Sequence, residues 1–223
     1  MNRFLTSVAP LVLLLGAFGG CAGDRSNPAS PAPASPAGPL VTLVNVADSI
    51  NVTGGATGTW NYAGQSVTIP GNGTYSRLRF SWYTFRGTPT AFGTLHVLDR
   101  EFLGLPGDLG PSTPGYLGSA DAVIEGQPGV LDDVKGEYVL PAGLVLRGGV
   151  KYWFYTSRQG SFVCSFDTDI YPGGDAYLTG YHTNPFRKAP ASGRMIGPGV
   201  YVPPPAGVFV DANFRLQATA AGS

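Results

Sequence analysis

The chain has 223 residues, 33 of them Gly and 20 Pro, with aromatic residues at 12%, charged residues at 13% and a formal net charge of zero. Charge this sparse supplies no field to steer a polyanion, so nucleic acid is not expected as a partner. The abundance of turn residues and aromatics argues against long solvated helices and for short strands joined by tight loops, in a length that suits one good-sized domain.

Residues 1–20 read as an export signal peptide. Arg3 is the positive n-region, Val8 to Phe18 is an apolar stretch broken only by Pro10 and Gly16, and small residues follow. The stretch is too short for a permanent spanning helix, and no later segment has the roughly 18 uninterrupted apolar residues that one requires. Phe18-Gly19-Gly20-Cys21 resembles the lipobox of bacterial lipoprotein signals, a large apolar residue and two small ones before the cysteine, with Phe in place of the usual Leu. The resemblance implies a diacylglyceryl thioether on Cys21, cleavage before it, and acylation of the new amine by a palmitate-like chain. Several acyl chains hold a protein on a membrane stably where one is marginal. Ala22 and Gly23 resemble the residues of lipoproteins sent to an outer membrane. The implied location is the bacterial cell envelope, lipid-anchored at the outer membrane or cell surface. The residues leave ordinary secretion with cleavage after Ala22, and an uncleaved anchor, as alternatives.

Residues 21–39 follow as a tether. "GDRSNPASPAPASPAGP" is Pro, Ala and Ser without apolar periodicity, so it buries nothing to offset its ordering entropy and is expected to be a disordered linker. At about 3.1 Å per residue it reaches roughly 50 Å when extended.

Residues 40–220 carry the folded domain, and alternation is the dominant signal in it. In "YSRLRFSWYTF" (75–85), Leu78, Phe80 and Trp82 share one face and Arg77, Arg79, Ser81 and Tyr83 the other. In "GVFVDANFRLQAT" (207–219), Val208, Val210, Ala212, Phe214 and Leu216 oppose Phe209, Asp211, Asn213, Arg215 and Gln217. Such period-2 runs predict half-buried antiparallel strands. Further strands are expected at 41–46, 65–69, 94–100, 120–125, 137–146, 150–157, 161–166 and 174–180, punctuated by Gly- and Pro-bearing turns such as "PGNG" and "YPGG". Eight to ten short strands without helices predict an all-β fold, an antiparallel two-sheet β-sandwich. Cys164, in "SFVCSF", reads as a buried inert thiol rather than a disulfide partner of Cys21.

Three stretches, "YVLPAGLVLRGGVKYWFYT", "DIYPGGDAYLTG" and "VDANFRLQA", resemble the jelly-roll or galactose-binding-like sandwiches appended to bacterial surface proteins. The likeness covers about a third of the domain and implies a jelly-roll-like fold more than a function.

No catalytic residue is expected. There is no Gly-x-Ser-x-Gly elbow, and His96 and His182 are the only histidines able to activate a nucleophile. His96 alternates with Leu95 and Val97 and reads as a solvent-facing strand residue; His182 reads as loop polarity. Paired acids for glycoside hydrolysis, Asp132–Asp133, Asp167–Asp169 and Asp99 with Glu101, read more simply as turn and strand-end residues. Asp167, Asp169 and Asp175 surround a Gly-rich turn that is a weak candidate for structural calcium, and no other metal or cofactor is implied. Binding is the more natural role. The outward residues Arg77, Arg79, Tyr83, Asp211, Asn213, Arg215 and Gln217 are one candidate surface if their two strands lie near one another, and the loop aromatics Trp60, Tyr62, Tyr181 and Phe186 are a second. Expected partners are the membrane through the N-terminal lipid and a glycan or envelope protein. The leading reading is an extracytoplasmic lipoprotein displaying a non-catalytic binding or structural module; the rivals are a carbohydrate-active enzyme using a carboxylate pair and a passive envelope component.

Overall fold

The inward residues of the 75–85 run leave water by stacking on side chains from distant parts of the chain, and that contact sets the architecture. The computed structural model describes residues 38–46, 55–56, 61–83, 93–124, 135–160, 163–166, 171–180, 182–189, 194–196, 200–202 and 209–221. They form β1 (Val41–Val46), β2 (Gly55–Ala56), β3 (Tyr62–Thr68), β4 (Thr74–Tyr83), β5 (Thr94–Leu98), β6 (Tyr116–Ile124), β7 (Lys135–Val139) and β8 (Leu146–Arg147). There follow β9 (Lys151–Thr156), β10 (Val163–Phe166), β11 (Ala176–Thr179), β12 (Arg187–Lys188), β13 (Arg194–Ile196), β14 (Val200–Val202), β15 (Phe209–Ala212) and β16 (Phe214–Ala220). Among the described residues helical structure is confined to one 3-10 turn at Pro106–Asp108. The fold is all-β, as the alternation predicts.

Eleven strands make one sheet in the order β1-β16-β4-β7-β6-β5-β9-β3-β11-β12, with β8 also paired to β4. Its ladders are antiparallel. Phe80 of β4 nevertheless stacks on Phe154 of β9, ring centroids 4.7 Å apart and planes at 16°. The two strands are four places apart in the ladder, which a flat sheet would hold about 19 Å apart at about 4.8 Å per strand. The sheet therefore folds over on itself into two facing layers. The crease is at β6, which pairs β5 on one side and β7 on the other with a register irregularity in each ladder, at Val97/Leu98 and at Ala122/Ile124. Such irregularities bend a strand and raise its twist.

Between the layers lie Leu78, Phe80 and Trp82 of β4, Phe214, Leu216 and Ala218 of β16, Leu95 and Val97 of β5, Tyr152 and Phe154 of β9, and Ala63 and Val67 of β3. Phe80 stacks on Phe214 at 5.6 Å and takes the edge of Trp82 at 4.7 Å. Gln65 lies fully buried on the same face of β3 as Ala63 and Val67. Its Oε1 accepts from the Ala212 N–H at 3.2 Å and its Nε2 donates to the Ser66 carbonyl at 3.2 Å, tying the separate β15-β10-β2 sheet to the large one. A two-stranded β13-β14 ladder completes the pairings.

Two expected strands divide. The 137–146 run breaks into β7 and β8 around a turn closed by the Leu144 N–H on the Pro141 carbonyl at 2.9 Å. The 207–219 run breaks at Asn213, because β15 pairs with β10 while β16 pairs with β1 and β4. β2, β12, β13 and β14 are two or three residues long, too short for a period to show.

β4 also carries one extra residue against β16: Gln217 faces Arg79, yet Thr219 faces Ser76. Arg77 absorbs it at φ 49°, the one non-glycine at positive φ among the described residues. The bulge resets the alternation, so that Tyr75 packs against the core with Leu78 three positions later.

Phe80→Ala is expected to cost about 3–5 kcal/mol in urea unfolding, against less than about 0.5 kcal/mol for the exposed Val123→Ala on β6.

Candidate functional site

The outer face of the layer holding β9, β3 and β11 is lined with aromatics. In "KYWFYT", Tyr152 and Phe154 point into the sandwich and Trp153 and Tyr155 point away. Tyr155 sits opposite Gly64 of β3, which sits opposite Tyr177 of β11. The two phenol rings meet over that glycine at 5.5 Å and 61°, and a Cβ there would overlap the Tyr155 ring. Tyr62, Leu98, Tyr155, Tyr177 and Phe186 form a second buried cluster, with Phe102, Leu109, Tyr116 and Trp153 packed on it. The connections around 99–115 and 182–189 cover this face. The Phe102 N–H donates to Tyr155 Oη at 3.1 Å, and the Phe186 N–H to the Gly104 carbonyl at 3.0 Å.

Trp153 stands half-buried at the margin of this cluster. Its Nε1–H donates to Tyr177 Oη at 3.0 Å, and the Tyr177 hydroxyl donates to Glu101 Oε1 at 2.8 Å. Burial is the main cause that raises the Tyr177 phenol above its ordinary range; the Trp153 N–H opposes the shift and the Glu101 carboxylate adds to it. Burial likewise raises Tyr155, against the Phe102 N–H. Both phenols therefore stay protonated at neutral pH, and Tyr177 remains a donor that fixes Glu101. Beyond Trp153 the row continues through Ser66 to Asp175, whose main chain exchanges hydrogen bonds with Ser66 at 2.8 Å. Asp175 pairs with Lys188 at 2.8 Å and Lys151 at 3.7 Å. An indole whose one donor is already engaged thus lies among two carboxylates and two ammonium groups. What remains for a ligand is the ring surface together with charged donors and acceptors at its edge.

The expected polar face is assembled on the opposite layer, since β4 and β16 are hydrogen-bonded neighbours, with Arg79 across from Gln217 and Arg215 across from Ser81. Several of its members are not available to a ligand. Tyr83, expected on a solvated face, is buried, and its hydroxyl donates to Asn45 Oδ1 at 2.8 Å. Asn213 is fully buried where the chain passes from the small sheet to the large one, and its carbonyl accepts the Tyr83 N–H at 3.0 Å. Arg215 is half-buried with Nε sealed from solvent. Arg79 Nη1 bonds Glu137 Oε1 at 3.1 Å, and Gln217 Nε2 donates to Thr42 Oγ1 at 3.3 Å. Arg77 is exposed, and Arg77 and Arg79 line a shallow groove of about 340 Å³.

The second expected surface is not an exposed loop patch where it is described. Tyr62 starts β3 and, like Phe186, is buried in the second cluster. Trp60, Tyr181, Asp167, Asp169, Asp132, Asp133 and Cys21 lie outside the described residues. Asp211 falls in β15 and Cys164 in β10. Asp99 Oδ1 accepts from Arg100 Nε at 2.9 Å, away from the Glu101–Tyr177 bond. No cluster of three His, Cys, Asp or Glu able to hold a metal occurs among the described residues. Sequence reasoning passed over Trp153 and Tyr177; the alternation of "YWFY" was the available signal, since it sends Trp153 to the face opposite Phe154.

No protein-family model matches the chain, and no curated protein is similar to it.

His96 corrects an expectation. It points away from the sandwich interior, as alternation requires, but only 6% of it is exposed, because Tyr116 and Tyr155 lie beside it. Burial lowers its pKa and the Asp121 carboxylate opposes the shift. The unfolded chain then binds a proton over a pH range in which the fold does not, so stability is full above the ordinary value and declines as pH falls toward the lowered one. The unfolding free energy from urea titrations is expected to fall as pH drops below about 6.5, by at most about 1.4 kcal/mol per pH unit, and His96→Gln is expected to flatten that slope.

Proposed function

We propose that this chain is a lipid-anchored, extracytoplasmic bacterial lipoprotein whose jelly-roll-like β-sandwich is a non-catalytic glycan-binding module. The lipobox-like Phe18-Gly19-Gly20-Cys21 and the Pro/Ala/Ser tether support the anchor and the spacing of the domain from the membrane. The reading of the domain is carried by one observation, the half-buried Trp153 with its Nε1–H already bonded to Tyr177.

A side chain held this way offers a flat apolar surface of fixed orientation. The C–H face of a pyranose matches such a surface, and aromatic rings contribute large rigid contact area at low entropic cost. Glu101 has one oxygen held by Tyr177, which leaves the other to accept from a sugar hydroxyl. Lys151 and Lys188 present ammonium donors to further hydroxyls, with Asp175 holding both in place. The Trp153–Tyr177–Glu101 chain is set by the sandwich itself, through strands β9 and β11 on either side of β3, so binding requires little rearrangement. The reading calls for no cofactor.

A glycan array probed with the purified full chain is expected to show binding that Trp153→Ala weakens at least tenfold, about 1.4 kcal/mol, and Trp153→Phe weakens less. Hydrolysis of a bound glycan that disappears in Glu101→Gln would assign an enzyme instead, and absence of any glycan binding would leave a structural component. Mass analysis of the N-terminus is expected to find Cys21 as the first residue bearing acyl chains, and Cys21→Ser is expected to release the protein from the membrane fraction.

A further inference from the structure

The bulge in β4 has a consequence for the opposite face of the molecule. Five described residues take positive φ: Gly71, Gly93, Gly115, Gly149 and Arg77. At four of them the sequence supplies glycine, which holds that conformation without a Cβ clash. At the fifth it keeps a long cationic side chain, although glycine would serve the bulge at lower cost. Arg77 is exposed and forms no ion pair with any described residue, so none of the described acids uses its guanidinium. Backbone strain retained for a side chain without an ion pair among the described residues points to what that side chain binds.

Its setting defines the chemistry. The groove of about 340 Å³ runs across the strands from Gly38 and Leu40, past Thr219, Arg77 and Arg79, to Val139, Leu140 and Ala142. Its ends are apolar, and Leu40 and Val139 are exposed there, Val139 at 47%. Its middle carries two guanidinium groups on neighbouring outward positions of one strand. Arg79 shares Nη1 with Glu137, which leaves the rest of its fork open. A guanidinium fork matches the geometry of a carboxylate or phosphate, and the flanking aliphatic side chains offer apolar surface to the body of an organic ligand.

We infer that this groove is a binding site for a small organic oxyanion, its carboxylate or phosphate held by Arg77 and Arg79 and its apolar body laid against the end lined by Val139 and Ala142. The site is separate from Trp153, on the other layer of the sandwich, and does not depend on glycan binding.

Calorimetric titration of the full chain with octanoate, octyl phosphate, inorganic phosphate and octyl glucoside, each below its micelle concentration, tests it. Octanoate or octyl phosphate is expected to bind at least tenfold more tightly than inorganic phosphate and than the neutral glucoside, and the better of the two names the oxyanion. Arg77→Gly is expected to weaken that binding at least tenfold while Tm holds or rises, since glycine relieves the strained φ. Arg77→Gln, which keeps the side-chain length without the charge, is expected to lose binding equally. Trp153→Ala is expected to leave the anion affinity unchanged. Equal binding of inorganic phosphate or of the glucoside, no binding of either octyl anion, or affinity preserved in both Arg77 variants would each overturn the assignment.

Discussion

The stack of Phe80 on Phe154 is the contact on which the rest of the molecule depends. It joins strands four places apart in a single ladder, and it can exist only if that ladder closes over itself. Once closed, the alternation written into β4 and β16 is satisfied by a facing layer made largely from β5, β9 and β3. Phe214 extends the stack within its own layer, and Tyr171 places its edge on Phe214 at 5.3 Å. Burial of apolar area at these rings is the main favourable term. The hydrogen-bonded ladders contribute by leaving few main-chain groups unpaired as that area is sealed.

Folding one sheet over creates two outer faces, and their fates differ. On the β9–β3–β11 side, Gly64 removes a side chain from the middle of the face, and Tyr155 and Tyr177 lean together over the gap. The connections carrying Phe102 and Phe186 then close over them, making a second core outside the sandwich. Trp153 is caught at its rim, where one part of the ring packs and one part meets solvent. On the β1–β16–β4–β7 side the face stays polar, and its polar groups are linked across strands, Arg79 to Glu137 by an ion pair and Gln217 to Thr42 by a neutral hydrogen bond. The bulge at Arg77 interrupts that face and leaves a cationic groove beside the start of the first strand. The proposed glycan and oxyanion sites therefore lie on opposite faces of the sandwich.

Legibility in the sequence differed from residue to residue. Leu78, Phe80, Trp82, Phe214 and Leu216 declare themselves, because a period of two over many residues has one reading. That Arg79 and Gln217 each lie on the polar side of their own strands was also readable, and the pairing of β4 with β16 brings them side by side. Tyr83, Asn213 and His96 were misplaced for a common reason. Alternation says which side of a strand a residue occupies, but not whether that side is later covered, and in each case it is. Tyr62 reads as a loop aromatic beside Trp60, yet it opens a strand and is packed under residues about 90 and 120 positions away in sequence.

What the sequence by itself determined was the all-β class, the antiparallel pairing and the inward placing of Leu78, Phe80, Trp82, Ala212, Phe214 and Leu216, because these follow from local alternation and turn chemistry within about ten residues. The tertiary structure alone decided that the layers are one sheet creased at β6, that an outer face carries a second core, and that Trp153, Tyr177 and Glu101 make a hydrogen-bonded chain. It alone also placed a strained arginine over a groove. These depend on register between strands far apart in the chain, and register is fixed by the collective packing of rings such as Phe80, Phe154 and Phe214 rather than by any short stretch of residues.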